Sequence, residues 1–161
     1  MNSRYIFIFS SFIILAPSTS ASPTTYYHAT FGGIDFGSIR GKIPNKSCVF
    51  DVYYQQIERL DSTYWFFRWD SDNKAVAYIN NKLSGLLVDM SELDTSKGVG
   101  SKGIVKLKNN NINAQFNLKK IKGCTGEIQS DCKFEHYKGN AVVNTGNKTG
   151  KFPVWAEYWC R

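Results

Sequence analysis

The chain is poor in the side chains that most hydrolytic enzymes depend on. Only two histidines, His28 and His136, occur in 161 residues. There is no G-x-S-x-G, no H-E-x-x-H and no P-loop, which removes the motif-bearing serine hydrolases, zinc peptidases and nucleotide triphosphatases. Gly32-Gly33 and Gly98-x-Gly100 sit among turn-forming residues and read as turn glycines, not as part of a dinucleotide-binding unit. Cysteine is scarce as well. The four present, Cys48, Cys124, Cys132 and Cys160, include no C-x-x-C pair. With so few histidines and no such pair, no zinc site and no other metal or cofactor is expected. Long apolar runs are absent after residue 21, so no membrane span is expected.

The one apolar run that exists is informative. Arg4 precedes Tyr5–Ala16, and Pro17-Ser-Thr-Ser-Ala21 follows with Thr19 and Ala21 as small residues at −3 and −1. This is the pattern of a cleaved export signal over 1–21, leaving 22–161 as a single secreted β-rich domain. In an exported chain an even cysteine count reads as two disulfides. The turn-rich stretch around Gly123, Thr125-Gly126 and Ser130-Asp131 favours a local Cys124–Cys132 clip, which leaves Cys48 for Cys160. The sequons at Asn45 and Asn147 fit the same compartment as sites for N-linked glycan.

Charge is unevenly spread. Residues 22–96 carry 7 basic and 9 acidic side chains, whereas residues 97–161 carry 12 basic and 4 acidic. Eleven of those twelve are lysines, which suits either a solvated exterior or a face for an anionic partner.

Most of the chain alternates with the two-residue period of strands. Ile112, Ala114, Phe116 and Leu118 fall on one side, and Asn113, Gln115, Asn117 and Lys119 on the other. Ile104–Lys108 is the other arm of a hairpin turning at Asn109-Asn110-Asn111, with Lys106 and Lys108 on its polar side. Ser91–Lys102 reads as a polar loop and residues 22–30 as a polar arm. Thr63–Trp69 is an aromatic run in which Trp65, Phe67 and Trp69 share one parity, a buried face. Residues 47–60 suit a short helix by spacing (Val49, Val52, Tyr53, Gln56) and a strand by composition. The expected fold is therefore mainly β, an antiparallel sandwich or barrel of seven to nine strands, with one short helix near 47–60 held open.

Candidate chemistry is thin. Glu135, His136, His28 and a lysine are the kinds of group a metal-free ribonuclease uses as base, acid and phosphate-binding cation. Adjacent strand residues point to opposite faces, however, so Glu135 and His136 would not meet. Trp155 and Trp159 flank Glu157 on one face of the last strand and are candidates for stacking on sugars or bases. Lys106, Lys108 and Lys119 form a basic strand face suited to phosphate, or to guarding a sheet edge against mispairing.

Over five residues, Gly150-Lys151-Phe152-Pro153-Val154 resembles the Glu-aromatic-Pro-aliphatic strand of the fungal guanyl-specific ribonucleases. That resemblance implies a ribonuclease-like fold without its catalytic base, because the matching position is Lys151. By export, size and paired cysteines the chain resembles the small secreted effectors and toxins of fungi. Three readings follow. One is an effector- or toxin-like protein that binds a host or competitor macromolecule, most simply a protein. Another is a ribonuclease-like fold, active or dead, with RNA as its partner. The last is a carbohydrate-binding module using Trp155 and Trp159 on a glycan.

Overall fold

The computed structural model describes residues 25–40, 48–54, 64–70, 72–123 and 134–160. Eleven strands run through them: β1 (Thr25–Phe31), β2 (Ile34–Arg40), β3 (Cys48–Tyr54), β4 (Tyr64–Trp65), β5 (Phe67–Asp70), β6 (Lys74–Ile79), β7 (Lys82–Glu92), β8 (Lys102–Lys108), β9 (Ile112–Lys122), β10 (Phe134–Thr145) and β11 (Lys148–Cys160). No helix occurs among the described residues. From β5 to β11 each strand pairs antiparallel with the next, and β3 pairs with both β5 and β11. The pairing of β6 with β7 completes the circuit, so β3 and β5–β11 form a closed eight-stranded up-and-down barrel. Of the two architectures expected, the chain adopts the barrel, which leaves no open sheet edge in the circuit.

An eight-stranded barrel is just wide enough for side chains to fill its interior. Here aromatics and alanines share that space. Phe50 stacks on Trp69 with centroids 4.6 Å apart, and Phe67 meets Phe116 edge-on at 5.0 Å. Ala75, Ala77, Ala114, Ala141 and Ala156 supply the small positions between them, all 2% exposed or less. Each large apolar side chain so buried contributes about 1.5–3 kcal/mol.

Both barrel ends are stoppered. At one end the β1–β2 hairpin lies across the core. Phe31 stacks on Phe152 at 4.4 Å, and Phe36 lies 4.9 Å from the same ring. At the other end Lys120, 2% exposed, reaches the carbonyl oxygens of Thr95 (2.8 Å) and Lys97 (3.0 Å) and the Glu135 carboxylate (2.5 Å). Tyr137 donates its hydroxyl to the same carboxylate at 2.6 Å. Burial, then Glu135, lifts the Tyr137 hydroxyl far above the ordinary tyrosine range, so it stays protonated.

Several expectations are corrected. Residues 48–54 form strand β3, not helix, and residues 55–60 lie outside the described residues. β3 is buried on both faces, so its apolar residues fall at helical spacing without a helix. Residues 25–30 of the polar arm belong to β1. The backbone bends at Phe66, which breaks the alternation: Phe66, Phe67 and Trp69 join the main core, whereas Trp65 packs outside it with Ile39 and Tyr53. The Asn80-Asn81 turn has both residues at positive φ (50° and 60°), the geometry a two-residue hairpin asks for. The export signal over 1–21, Asn45, Cys124 and Cys132 lie outside the described residues. Asn147 is exposed at the β10–β11 turn.

A glycine permits a close approach between two barrel strands. At Gly139 the β9 and β10 backbones approach so closely that a β-carbon would lie 1.9 Å from the Asn117 carbonyl oxygen. Neither group is a side chain that can swing away. Gly139→Ala should destabilise the fold by about 1–3 kcal/mol in urea unfolding. Gly98→Ala, with nothing within 4 Å of its β-carbon position, should stay within about 0.5 kcal/mol of the parent. Equal effects would disprove the close approach.

Candidate functional site

The outer face of the barrel presents alternate residues of each strand. Register there brings distant residues into rows. Lys102 lies opposite Lys119, Lys119 opposite Lys138, Lys138 opposite Trp155, and Trp155 opposite Tyr53. Neighbouring strands are about 4.7–4.9 Å apart, so three lysines stand side by side on three adjacent strands. All three lysines are exposed. No carboxylate among the described residues pairs with any of them. Like charges directly opposite one another are destabilising.

The end of the row is anchored. The Lys138 ammonium sits 4.1 Å from the centroid of the Trp155 ring. Trp155 in turn packs against Ile39, Tyr53 and Trp65. One face of the indole is thus covered by a cation and its flank by the apolar cluster. A groove of about 560 Å³ runs beside the row, lined by Glu92, Lys102, Asn117, Lys119, Lys138 and Asn140. Glu92 is engaged by Lys106 in an ion pair.

The next row carries titratable groups. Lys122, His136, Glu157, Asp51 and Arg68 follow one another across β9, β10, β11, β3 and β5. His136 Nδ1 lies 3.5 Å from Glu157 Oε1, and the Tyr53 hydroxyl donates to Glu157 Oε2 at 3.5 Å. Burial pushes the Glu157 carboxyl above its ordinary range; His136 pulls it down and Asp51 pushes it up. Burial, helped by Asp51 and Glu157, raises the Tyr53 hydroxyl well past the tyrosine range. Beneath them Arg68 grips Asp51 with two hydrogen bonds, 2.5 and 2.7 Å, and the Trp159 indole N–H donates to the same carboxylate at 3.2 Å. The guanidinium also lies 4.6 Å above Trp65.

The residues expected to act from the sequence are scattered by this arrangement. Lys119 and Trp155 share the basic row. Lys106 is held by Glu92. Lys108 is exposed opposite Leu87. Trp159 is half-buried against Asp51. His28 is on the β1–β2 hairpin, 3.4 Å from Asp35, whereas His136 faces Glu157. Glu135 points into the barrel end and binds Lys120 and Tyr137. A carboxylate beside an imidazole is a pairing used in acid–base chemistry, but His136 and Glu157 are about one-fifth exposed (21% and 22%) and directed at each other.

Lys102 and Lys138 were not singled out from the sequence. Lys102 reads as the end of a loop, and Lys138 falls between two short apolar stretches. Extending the hairpin by two residues would place Lys102 opposite Lys119. Gly98-Val99-Gly100-Ser101-Lys102-Gly103 spells G-x-G-x-x-G, but strand β8 begins within it, so no helix N-terminus is there to receive a pyrophosphate. Among the described residues no three His, Cys, Asp or Glu side chains cluster to hold a metal, and no helix is long and apolar enough to cross a membrane. No protein-family model, no curated protein and no solved structure matches the chain.

The buried Arg68–Asp51 pair supports the whole outer cluster. Arg68→Ala should cost about 3–5 kcal/mol because it strands a buried carboxylate. Replacing both residues, Arg68→Met with Asp51→Leu, should cost less than the single change. Chemical denaturation of the three proteins checks this; a double variant weaker than Arg68→Ala would contradict it.

Proposed function

We propose that the chain is an exported binding protein, effector- or toxin-like, which holds an anionic surface of a host or competitor macromolecule against the outer face of β8, β9 and β10. The observation that carries this reading is the Lys102–Lys119–Lys138 row: three like charges set opposite one another, with no carboxylate among the described residues paired to any of them. Such a row works against the fold and is explained by a ligand that neutralises it. The lysine-rich second half of the chain supports the same reading.

The two other readings have less support. A ribonuclease-like sheet needs a helix packed on it, and residues 48–54 are strand. A stacking platform needs free aromatic faces, and Lys138 covers Trp155.

Binding can be tested on the mature chain without knowing the ligand. On a sulfonate cation-exchange resin, Lys102→Gln, Lys119→Gln and Lys138→Gln should each elute at clearly lower salt than Lys108→Gln or Lys151→Gln, although all five carry the same net charge. Equal shifts for all five would refute the row as a contact surface.

Export and disulfide stabilisation belong to the same proposal. Register sets Cys48 opposite Cys160 at the end of the β3–β11 ladder, and Cys48 is not a free thiol. Residues directly opposite on antiparallel strands have α-carbons about 4.5–5.5 Å apart, within the range a disulfide spans. We expect a Cys48–Cys160 bridge, with Cys124 joined to Cys132. Non-reducing peptide mapping should find both linkages; a Cys48–Cys124 peptide would overturn the assignment.

A further inference from the structure

The basic row has a geometry that selects among anions. Its three lysines are spaced one per strand along a line perpendicular to the strands, not clustered at a point. A ligand matching it is a linear polymer with one anionic group per short, regular repeat. The Lys138 ammonium rests over Trp155, which biases its orientation at that end of the row.

The neighbouring row on the same face supplies a different chemistry. Ile104, Asn117 and Asn140 lie opposite one another on β8, β9 and β10. Gln115 donates to the Asn117 side-chain oxygen at 3.0 Å, which leaves the Asn117 amide N–H groups to donate elsewhere. Asn117 and Asn140 thus place neutral hydrogen-bonding groups along the groove, one strand apart, parallel to the lysines. A polymer with an anion on one edge and hydroxyls on the other meets both rows at once.

Single-stranded nucleic acid fits less well. Sequence-tolerant binding of single strands relies on bases stacking on aromatic faces. The aromatic residues of the row are Trp155, covered by the Lys138 ammonium, and Tyr53, 7% exposed. An extended acidic peptide presents same-side carboxylates every second residue, about 6.6–6.8 Å apart, longer than the step between strands.

Resting on the anion-binding reading above, we propose that the groove over β8, β9 and β10 is a subsite for a linear polyuronate, an acidic polysaccharide with a carboxylate on every sugar. Lys102, Lys119 and Lys138 bind its carboxylates, and Asn117 and Asn140 hydrogen-bond the ring hydroxyls. Successive sugars of such a chain are turned relative to one another, so the carboxylates that reach the row are those on the polymer edge facing the barrel.

Calorimetry on the mature chain with four probes at equal charge concentration and ionic strength tests this: oligogalacturonate, heparin, polyglutamate and poly(U). Oligogalacturonate should bind at least about tenfold more tightly than the other three, a difference of about 1.4 kcal/mol. Lys119→Gln should lose about tenfold on oligogalacturonate. Asn140→Ala should lose several-fold there and nothing on polyglutamate, while Lys108→Gln should bind as the parent does. All these positions are exposed, and thermal unfolding verifies that each variant folds. Equal affinity for all four probes, still dependent on Lys119, would overturn the polyuronate site and leave the anion-binding reading standing. Tighter binding of heparin or poly(U) would overturn it in favour of a sulfated chain or RNA. No binding to any probe would overturn both.

Discussion

The ladder between β3 and β11 is the constraint on which the rest of this fold depends. Seven consecutive antiparallel strands could lie as an open, twisted sheet with two edges. Pairing of Val154–Cys160 with Cys48–Tyr54 instead brings the last strand back to an early one and closes the circuit. Closure gives the chain an inside and an outside. The inside takes the aromatics and alanines and becomes dry. The outside takes every alternate residue, so the character of that face follows from strand parity and register alone. The same ladder sets Asp51 beside Glu157 and Tyr53 beside Trp155, the contacts on which the outer cluster is built.

The outside is not uniform. Over β3 and β5 it is partly dry, because β2 and β4 bring Ile39 and Trp65 onto it and Arg68 and Asp51 are buried as a pair. Over β8, β9 and β10 it is wet and basic. Trp155 stands at the boundary, packed on the dry side and carrying Lys138 on the wet side. That boundary explains how a lysine can be biased in orientation while still exposed to solvent. It also explains why the same tryptophan is a poor stacking platform: its role is to orient a cation.

Much of this was legible in the sequence wherever one face of a strand is wet. The β8–β9 hairpin and its inward set Ile112, Ala114, Phe116 and Leu118 follow from simple alternation. Legibility failed where both faces are buried. In β3 continuous apolar character imitates helical spacing, and at Phe66 a bend reverses the parity of the aromatic run. The candidate site was half legible for a different reason. Lys119 and Trp155 lie on strands whose alternation is clear, but their meeting through Lys138 depends on register between strands. A single sequence carries no direct record of register. His136 shows the same limit: its neighbour in sequence, Glu135, faces the barrel interior, and its partner in space, Glu157, is on the next strand.

The central claim is that the basic row costs the fold stability and is kept for a ligand. Lys119 is the residue to test, because it is the middle charge and its removal relieves both repulsions at once while leaving the Lys138–Trp155 contact intact. The decisive measurement is the melting temperature of Lys119→Gln against the parent, without ligand, at low and at high salt. The account predicts that the variant melts higher at low ionic strength, and that the gap closes near 1 M salt, where charges are screened within about 3 Å. A variant that melts lower than the parent at low salt would show that Lys119 stabilises the barrel, and would contradict the account.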